Sequence, residues 1–179
     1  MDYKFADIWK TRNEVKLTVM KDWVKNEWAK GRNQYLTFLV RIKDKGLVEK
    51  IIEIQDRLST ISCVDPFPND YFHITVKGCG FLAKSKKYED DVSIESLQKI
   101  INRAEEVLQT FNKFDLFLSK LNIFSDVVFI EVYDSGKIGE LNKRLQAIPE
   151  VRKMKFDHPN LLPHVSIAQF QNNEDFTGL

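Results

Sequence analysis

Residues 73–76 of this 179-residue chain read HITV, and residues 164–167 read HVSI. The difference between 164 and 73 is 91, and the same shift of 91 residues places the apolar stretch 36–39 (LTFL) on 127–130 (VVFI). Each copy therefore contains a strand, a helix, a loop and a second strand that carries His-x-Ser/Thr-aliphatic. Two such copies predict two similar halves that pack about a pseudo-twofold axis.

Hydrophobic spacing predicts the elements around the two copies. Short runs rich in β-branched and aromatic residues are typical of strands, whereas apolar residues three or four positions apart indicate helices. The loop at residues 65–70 (DPFPND) is rich in proline and aspartate, which favour turns. The predicted strands are 34–42, 71–76, 114–124, 127–133 and 161–170, and the predicted helices are 3–30, 47–58, 94–108 and 138–148.

The N-terminal helical prediction stands apart from the duplicated pattern. It rests on Ile8, Val15, Val19 and Trp23 near helical spacing, with Gly31 at its end. A lid or a partner-binding helix is one interpretation. A helix whose aromatic stripe packs on the main body is the simpler interpretation, and we favour it.

Composition and charge limit the class of protein. Hydrophobic residues make up 43% and aromatic residues 12% of the chain, which allows a sizeable core and excludes a disordered chain. The 27 basic and 26 acidic residues leave a formal net charge of +1, so no global field attracts long nucleic acid or an anionic membrane. Any recognition of phosphate must therefore be local.

The cysteines and the N-terminus predict a cytoplasmic protein with reduced thiols. Cys63 and Cys79 lack the spacing of metal ligands, and a chain held by disulfides would normally contain more cysteines. The first ten residues (MDYKFADIWK) lack the basic and apolar regions of a secretory leader. No apolar run approaches the length of a membrane span.

The two repeated motifs place two kinds of polar side chain on one face. Because side chains alternate along a strand, His73 and Thr75 point to the same side, and so do His164 and Ser166. If the equivalent strands meet across a cleft, two imidazoles and two hydroxyls line it. We therefore predict that His73 and His164 are the catalytic residues and that Thr75 and Ser166 bind substrate.

This combination suits cleavage of a phosphodiester. A histidine titrates near neutral pH, so one neutral ring can act as general base while one protonated ring acts as general acid. The two hydroxyls can donate hydrogen bonds to the non-bridging phosphate oxygens in the transition state. Such a reaction needs no metal and no cofactor.

Other interpretations of these residues are weaker. A metal site usually needs three or four ligands, and only Asp70 and Asp157 lie near the two histidines in sequence. Nucleophilic catalysis by the hydroxyls lacks an orienting acid or a sharp turn in the sequence. A lone histidine would be read as a core residue, but the chain has only three, and two occupy equivalent positions. His158 has no counterpart and is predicted to be a loop residue.

The doubled motif, with Pro163 before its second copy, resembles the signatures of the 2H phosphoesterase superfamily, in its branch of 2′-5′ RNA ligase-like proteins and cyclic phosphodiesterases. The resemblance covers residues 34–170. It implies an α+β fold, a bilobal pseudo-twofold duplication of antiparallel sheets with outer helices. Residues 1–33 are then an N-terminal helical extension and 34–179 the bilobal domain, with intertwined lobes at about 34–110 and 111–179.

The resemblance also implies the activity. Members typically open 2′,3′-cyclic phosphates, cleave related 2′-linked phosphodiesters, or join RNA ends through a 2′-5′ bond, without a metal. We therefore expect a phosphodiesterase whose partner is a small nucleotide or an RNA terminus, with no membrane and no long duplex. The alternative hypothesis is a binding module that holds a nucleotide or an RNA end without turnover.

Overall fold

The computed structural model of the chain describes residues 5–151, 153, 154, 157 and 161–172. The strands are β1 (Tyr35–Arg41), β2 (Val64–Pro66), β3 (His73–Ala83), β4 (Asp91–Ser93), β5 (Phe117–Ile123), β6 (Val127–Tyr133) and β7 (His164–Phe170). The helices are α1 (Phe5–Thr11), α2 (Lys21–Trp23), α3 (Lys45–Leu58), α4 (Ile94–Gln109) and α5 (Lys137–Gln146).

The strands form one connected sheet with a symmetric centre. Its order is β1-β3-β7-β6-β5, with β2 added to β7 and β4 added to β3. All pairs are antiparallel except β3 with β4. The central strands β3 and β7 pair at Ile74 and Val165, which are equivalent positions of the duplication, so the pseudo-twofold axis passes through this pair. The predicted α+β fold and its duplication are confirmed.

Side-chain amides bond the two central strands just beyond that pair. The Val76 carbonyl accepts a hydrogen bond of 2.6 Å from Asn142 Nδ2 on α5, and the equivalent Ile167 carbonyl accepts one of 2.6 Å from Gln55 Nε2 on α3. Both amide residues are buried. Each helix is therefore bonded to the motif strand of the opposite half. Beyond the pair Ile74–Val165 the two strands separate, and these side-chain amides bond strand carbonyls there.

The main helices begin at residues suited to capping. Asp44 accepts a hydrogen bond from the Leu47 amide at 2.9 Å to start α3, and Ser93 accepts one from the Ser96 amide at 3.3 Å to start α4. Each helix then buries part of its apolar surface in the core: Ile51 of α3 is 2% exposed and Ile100 of α4 is fully buried. The largest fully buried side chains are Phe72, Lys77, Phe129, Phe170, Ile51, Ile74, Ile100, Ile138, Leu145, Ile167, Val128 and Val132.

The prediction of one helix over residues 3–30 is wrong. After α1 and a short 3₁₀ turn, residues 15–20 leave the helical conformation, and the Thr18 amide donates a 2.7 Å hydrogen bond to the Ser125 carbonyl. This stretch contains Val15, Thr18 and Val19, whose branched side chains weaken a helix. Helical structure resumes at α2 and continues as a π-helical turn over Val24–Ala29. The boundary predicted at residue 33 stays a prediction.

Several element ends also differ from prediction. The strand that starts at His73 runs to Ala83, well past the predicted residue 76, and Gly80 adopts a φ of 124° within it. That conformation is open to glycine and strained for other residues. Residues 91–93, which no predicted strand covers, form β4 alongside this extension. In the ranges that the structure describes, no helix is long and apolar enough to cross a membrane.

Candidate active site

The two motif histidines open the two central strands. His73 is the first residue of β3, and His164 is the first residue of β7. In the antiparallel register fixed by Ile74 and Val165, His73 lies beside the position of Ser166, and Thr75 lies beside that of His164. The duplication therefore brings both predicted histidines to the same part of the sheet.

Both histidines line one pocket of about 790 Å³. This size is in the upper part of the range for ligand pockets, roughly 300–1,000 Å³. Thr75 also lines it, whereas Ser166 is half-buried and is not among its lining residues. The lining residues are Trp28, Tyr35, Thr37, Leu39, Tyr71, His73, Thr75, Val76, Lys77, Gly78, Phe124, Asn142, Met154, Asp157, Leu161, Leu162 and His164.

The ring orientation of the two histidines is fixed in the same way. His73 Nδ1 bonds the carbonyl of Tyr71, and His164 Nδ1 bonds the carbonyl of Leu162 at 2.8 Å. Tyr71 and Leu162 are equivalent positions of the duplication. Because a carbonyl only accepts, Nδ1 must carry the proton in each ring. Each neutral ring then keeps Nε2 as the nitrogen that can accept a proton.

The surroundings of the two rings differ. The His164 ring lies 5.1 Å from the rings of Phe124 and Phe129, whereas the His73 ring lies 4.9 Å from that of Tyr71, which is 43% exposed. Burial lowers the pKa of His164 below its ordinary value, and the charge that His73 can carry lowers it further. The Leu162 carbonyl and Asp126 act in the opposite direction and are outweighed. A lowered pKa leaves His164 neutral at pH 7.

A buried ion pair involves Lys77, which lies two residues beyond Thr75 on β3 and also lines the pocket. Lys77 Nζ donates hydrogen bonds to Asp157 at 2.6 and 2.8 Å and to the Gly78 carbonyl at 2.7 Å. The Lys77 side chain is fully buried, and that of Asp157 is 12% exposed. From the sequence, Asp157 is expected only as a loop neighbour of a histidine. The register of β3 against β1 shifts between Thr75 and Lys77, so strand alternation in the sequence does not single out Lys77.

Tyrosine and cysteine side chains near this ion pair stay uncharged. Burial raises the pKa of Tyr35 to about 12, and the Cys79 and Asp157 side chains add to the effect. Burial also raises the pKa of Cys79 to about 11, although Lys77 opposes the change. The thiol of Cys79 is therefore protonated at neutral pH and is a poor nucleophile.

No group of three or more His, Cys, Asp or Glu side chains suited to a metal occurs among the residues that the structure describes. His158, which was predicted to be a loop residue, lies outside them. The predicted absence of a metal requirement stays a prediction, and so do the roles assigned to the four motif residues.

Solved structures with the same fold come from bacteria and a virus. LigT of E. coli, in its apo form, is 15% identical, with a TM-score of 0.56 over 83% of this chain and 78% of that chain. TT0787 of Thermus thermophilus is 18% identical, with a TM-score of 0.55 over 78% of this chain and 75% of that one. The ns2 PDE domain of MHV is 12% identical, with a TM-score of 0.55 over 80% and 88%. At these identities the likeness concerns the fold.

Sequence comparison gives the family. Among curated proteins, none matches this sequence significantly. The family model of the 2′-5′ RNA ligase superfamily matches residues 48–178, which is most of the chain and includes both histidine motifs. The resemblance to the 2H phosphoesterases is thereby confirmed, and this chain belongs to the 2′-5′ RNA ligase superfamily.

Proposed function

We propose that this chain is a phosphodiesterase that opens a 2′,3′-cyclic phosphate, or a related 2′-linked phosphodiester, at a nucleotide or RNA end. The observation that carries the proposal is the repeated hydrogen bond from histidine Nδ1 to a carbonyl in one shared pocket. It gives both rings the same tautomer and leaves two Nε2 atoms for proton transfer. Two such rings supply the base and the acid that phosphodiester hydrolysis needs.

The environments of the rings support one assignment of roles. His164 is the general base, because burial keeps it neutral, and its Nε2 takes a proton from the attacking water. The water oxygen bonds to phosphorus as the bond from phosphorus to one ribose oxygen breaks. His73, protonated, gives its Nε2 proton to that departing oxygen. Thr75 and Ser166 donate hydrogen bonds to the non-bridging oxygens.

The same groups can join RNA ends when a 5′-hydroxyl replaces water as the attacking group: its oxygen bonds to the phosphorus of the cyclic phosphate, the bond from phosphorus to the 3′ oxygen breaks, and a 2′-5′ bond remains. The name of the matched superfamily refers to such 2′-5′ joining, and the name of the MHV domain refers to phosphodiesterase activity. Hydrolysis is the outcome expected where water, and not an RNA hydroxyl, reaches the cyclic phosphate. The cytoplasmic location expected from the sequence stays a prediction.

Turnover of 2′,3′-cyclic nucleotides in the presence of a chelator tests the proposal. We expect hydrolysis to a single monophosphate product, with a rate that the chelator leaves unchanged. The matched control is the variant His158→Ala, which removes the one histidine outside the motifs and should keep the rate. Tight binding of nucleoside monophosphates without any turnover would replace the enzyme with the binding module. Activity abolished by the chelator would contradict the metal-independent reaction.

A further inference from the structure

The pocket extends well beyond the histidines to a second, aromatic end. Trp28 and Tyr35 form this end, and the Tyr35 hydroxyl lies so close to Gly78 that any side chain at position 78 would collide with it. Gly78 is four residues beyond Ile74, which marks the pseudo-twofold axis between the histidines. β3 is bulged here, and the residues of β1 opposite Ile74 and Gly78, Val40 and Thr37, are three residues apart, which spans about 10 Å at roughly 3.3 Å per residue. The aromatic end is therefore remote from the phosphate that the histidines hold.

Trp28 is held firmly at this position. Its ring lies 4.8 Å from that of Tyr35 and 4.9 Å from that of Phe81, in tilted and edge-to-face contacts. Its carbonyl accepts a 2.6 Å hydrogen bond from Arg32 Nη2, and Arg32 Nη1 is paired with Asp90 and Asp91 at 2.6 Å each. Trp28 is half-buried, so part of the ring stays open to the pocket. Such an anchored ring is ready to stack without further ordering.

Charge does not explain what this end would bind. Of the residues that the structure places along the pocket, Lys77 is the single lysine or arginine. Its donors are taken by both oxygens of Asp157 and by the Gly78 carbonyl, so it has no donor left for a phosphate. The aromatic end therefore favours a flat, uncharged group. A nucleobase is such a group, and bases of single-stranded RNA bind proteins by stacking on aromatic side chains.

We propose that Trp28 and Tyr35 form a stacking site for the base of the nucleotide that precedes the reacting one. The inference rests on the proposed function, because the scissile phosphate must lie between the histidines. The base of the reacting nucleotide is joined to that phosphate through one ribose, whereas the preceding base lies one phosphodiester and one ribose farther away. The substrate class is then an RNA end of at least two nucleotides, in preference to a free cyclic mononucleotide.

The two KM values of a matched substrate pair test this site. The substrates are adenosine 2′,3′-cyclic phosphate and the adenylyl-adenosine dinucleotide that ends in the same cyclic phosphate. We expect Trp28→Leu to raise KM for the dinucleotide on the order of tenfold more than KM for the mononucleotide. Trp28→Phe, which keeps a ring, should restore most of the wild-type ratio. Trp23→Leu is the control, because Trp23 belongs to the same segment and does not line the pocket.

An equal change in both KM values, or no change in either, overturns the stacking site while leaving the proposed function intact. If the wild-type protein hydrolyses neither substrate, the proposed function fails and the site is judged by binding. Calorimetry then compares the 3′-phosphates of adenosine and adenylyl-adenosine. The site is supported if Trp28→Leu binds the dinucleotide about tenfold more weakly than the wild type and Trp28→Phe restores the affinity. It is refuted if the wild type and both variants bind the dinucleotide equally well.

Discussion

The two motif strands β3 and β7 have the same backbone role but different surroundings. Both begin with a histidine whose Nδ1 is bonded to the carbonyl two residues before it. Only β3 carries a buried charge, because the position equivalent to Lys77 is Ala168 in β7. The rings also differ, with His164 among phenylalanines and His73 beside an exposed tyrosine. The duplication thus gives both rings the same tautomer, and in the proposed mechanism their different neighbours decide which ring is the base and which is the acid.

The largest effect is expected when either histidine is removed. His73→Ala and His164→Ala each eliminate one proton-transfer group, so each should lower kcat/KM by 10²- to 10⁴-fold, about 3–5 kcal/mol of transition-state stabilisation. Steady-state hydrolysis of a 2′,3′-cyclic nucleotide measures this, with the thermal midpoint as the control for folding. Near wild-type rates in both folded variants would remove the acid–base assignment.

The buried charge of β3 should dominate stability. Asp157→Asn leaves the Lys77 ammonium buried without a carboxylate, which should lower the free energy of unfolding by about 3 kcal/mol. The double variant Lys77→Met with Asp157→Leu removes both charges and should recover most of the loss. Urea denaturation measures both. Glu140→Gln breaks an exposed pair instead and should change little. A stable Asp157→Asn protein would show that the buried Lys77 does not depend on the Asp157 carboxylate.

Removal of the Thr75 hydroxyl should lower kcat more than removal of the Ser166 hydroxyl. Thr75 lines the pocket and Ser166 does not. We therefore expect Thr75→Val to lower kcat about 10²-fold, as for the loss of one oxyanion donor, and Ser166→Ala to lower it on the order of tenfold or less. Equal losses of kcat in the two variants would mean that both hydroxyls contact the phosphate equally, and would contradict this expectation.

The pH profile tests the difference between the rings. The base His164 must be neutral, so activity should fall as the pH drops through its pKa, which burial holds below the ordinary value of about 6.5. Phe124→Ser admits water beside the ring and should raise this pKa, which moves the acidic limb of kcat/KM to higher pH by about half a unit. Phe117→Ser, on an exposed phenylalanine of β5, is the control. If the acidic limb of kcat/KM does not move in Phe124→Ser, His164 is not the general base.

Local sequence signals were sufficient for the motif strands and the duplication. The alternation in HITV and HVSI predicted strands that carry His73 and His164 on one face, and both line the same pocket. Helical spacing also located α3, α4 and α5. In α4, however, Ile100 and Ala104 are buried, whereas Ile94, Ile101 and Leu108 are exposed.

The features that sequence reasoning missed depend on distant partners. Lys77 meets Asp157 across 80 residues, and Gln55 bonds the Ile167 carbonyl across 112. Nothing within a local window distinguishes these side chains from solvated polar residues. The break in the N-terminal helix has the same origin, since Thr18 bonds the distant Ser125 carbonyl. A tertiary hydrogen bond there outweighs a weak helical preference.

The reciprocal amide bonds have a consequence for how the halves depend on each other. Gln55 lies in the first half and bonds the second motif strand, and Asn142 lies in the second half and bonds the first. Separated from its counterpart, each strand would expose a carbonyl and an apolar face to water. A half separated from the other would lose a buried hydrogen bond as well as apolar contacts, which favours folding of the two halves as one unit.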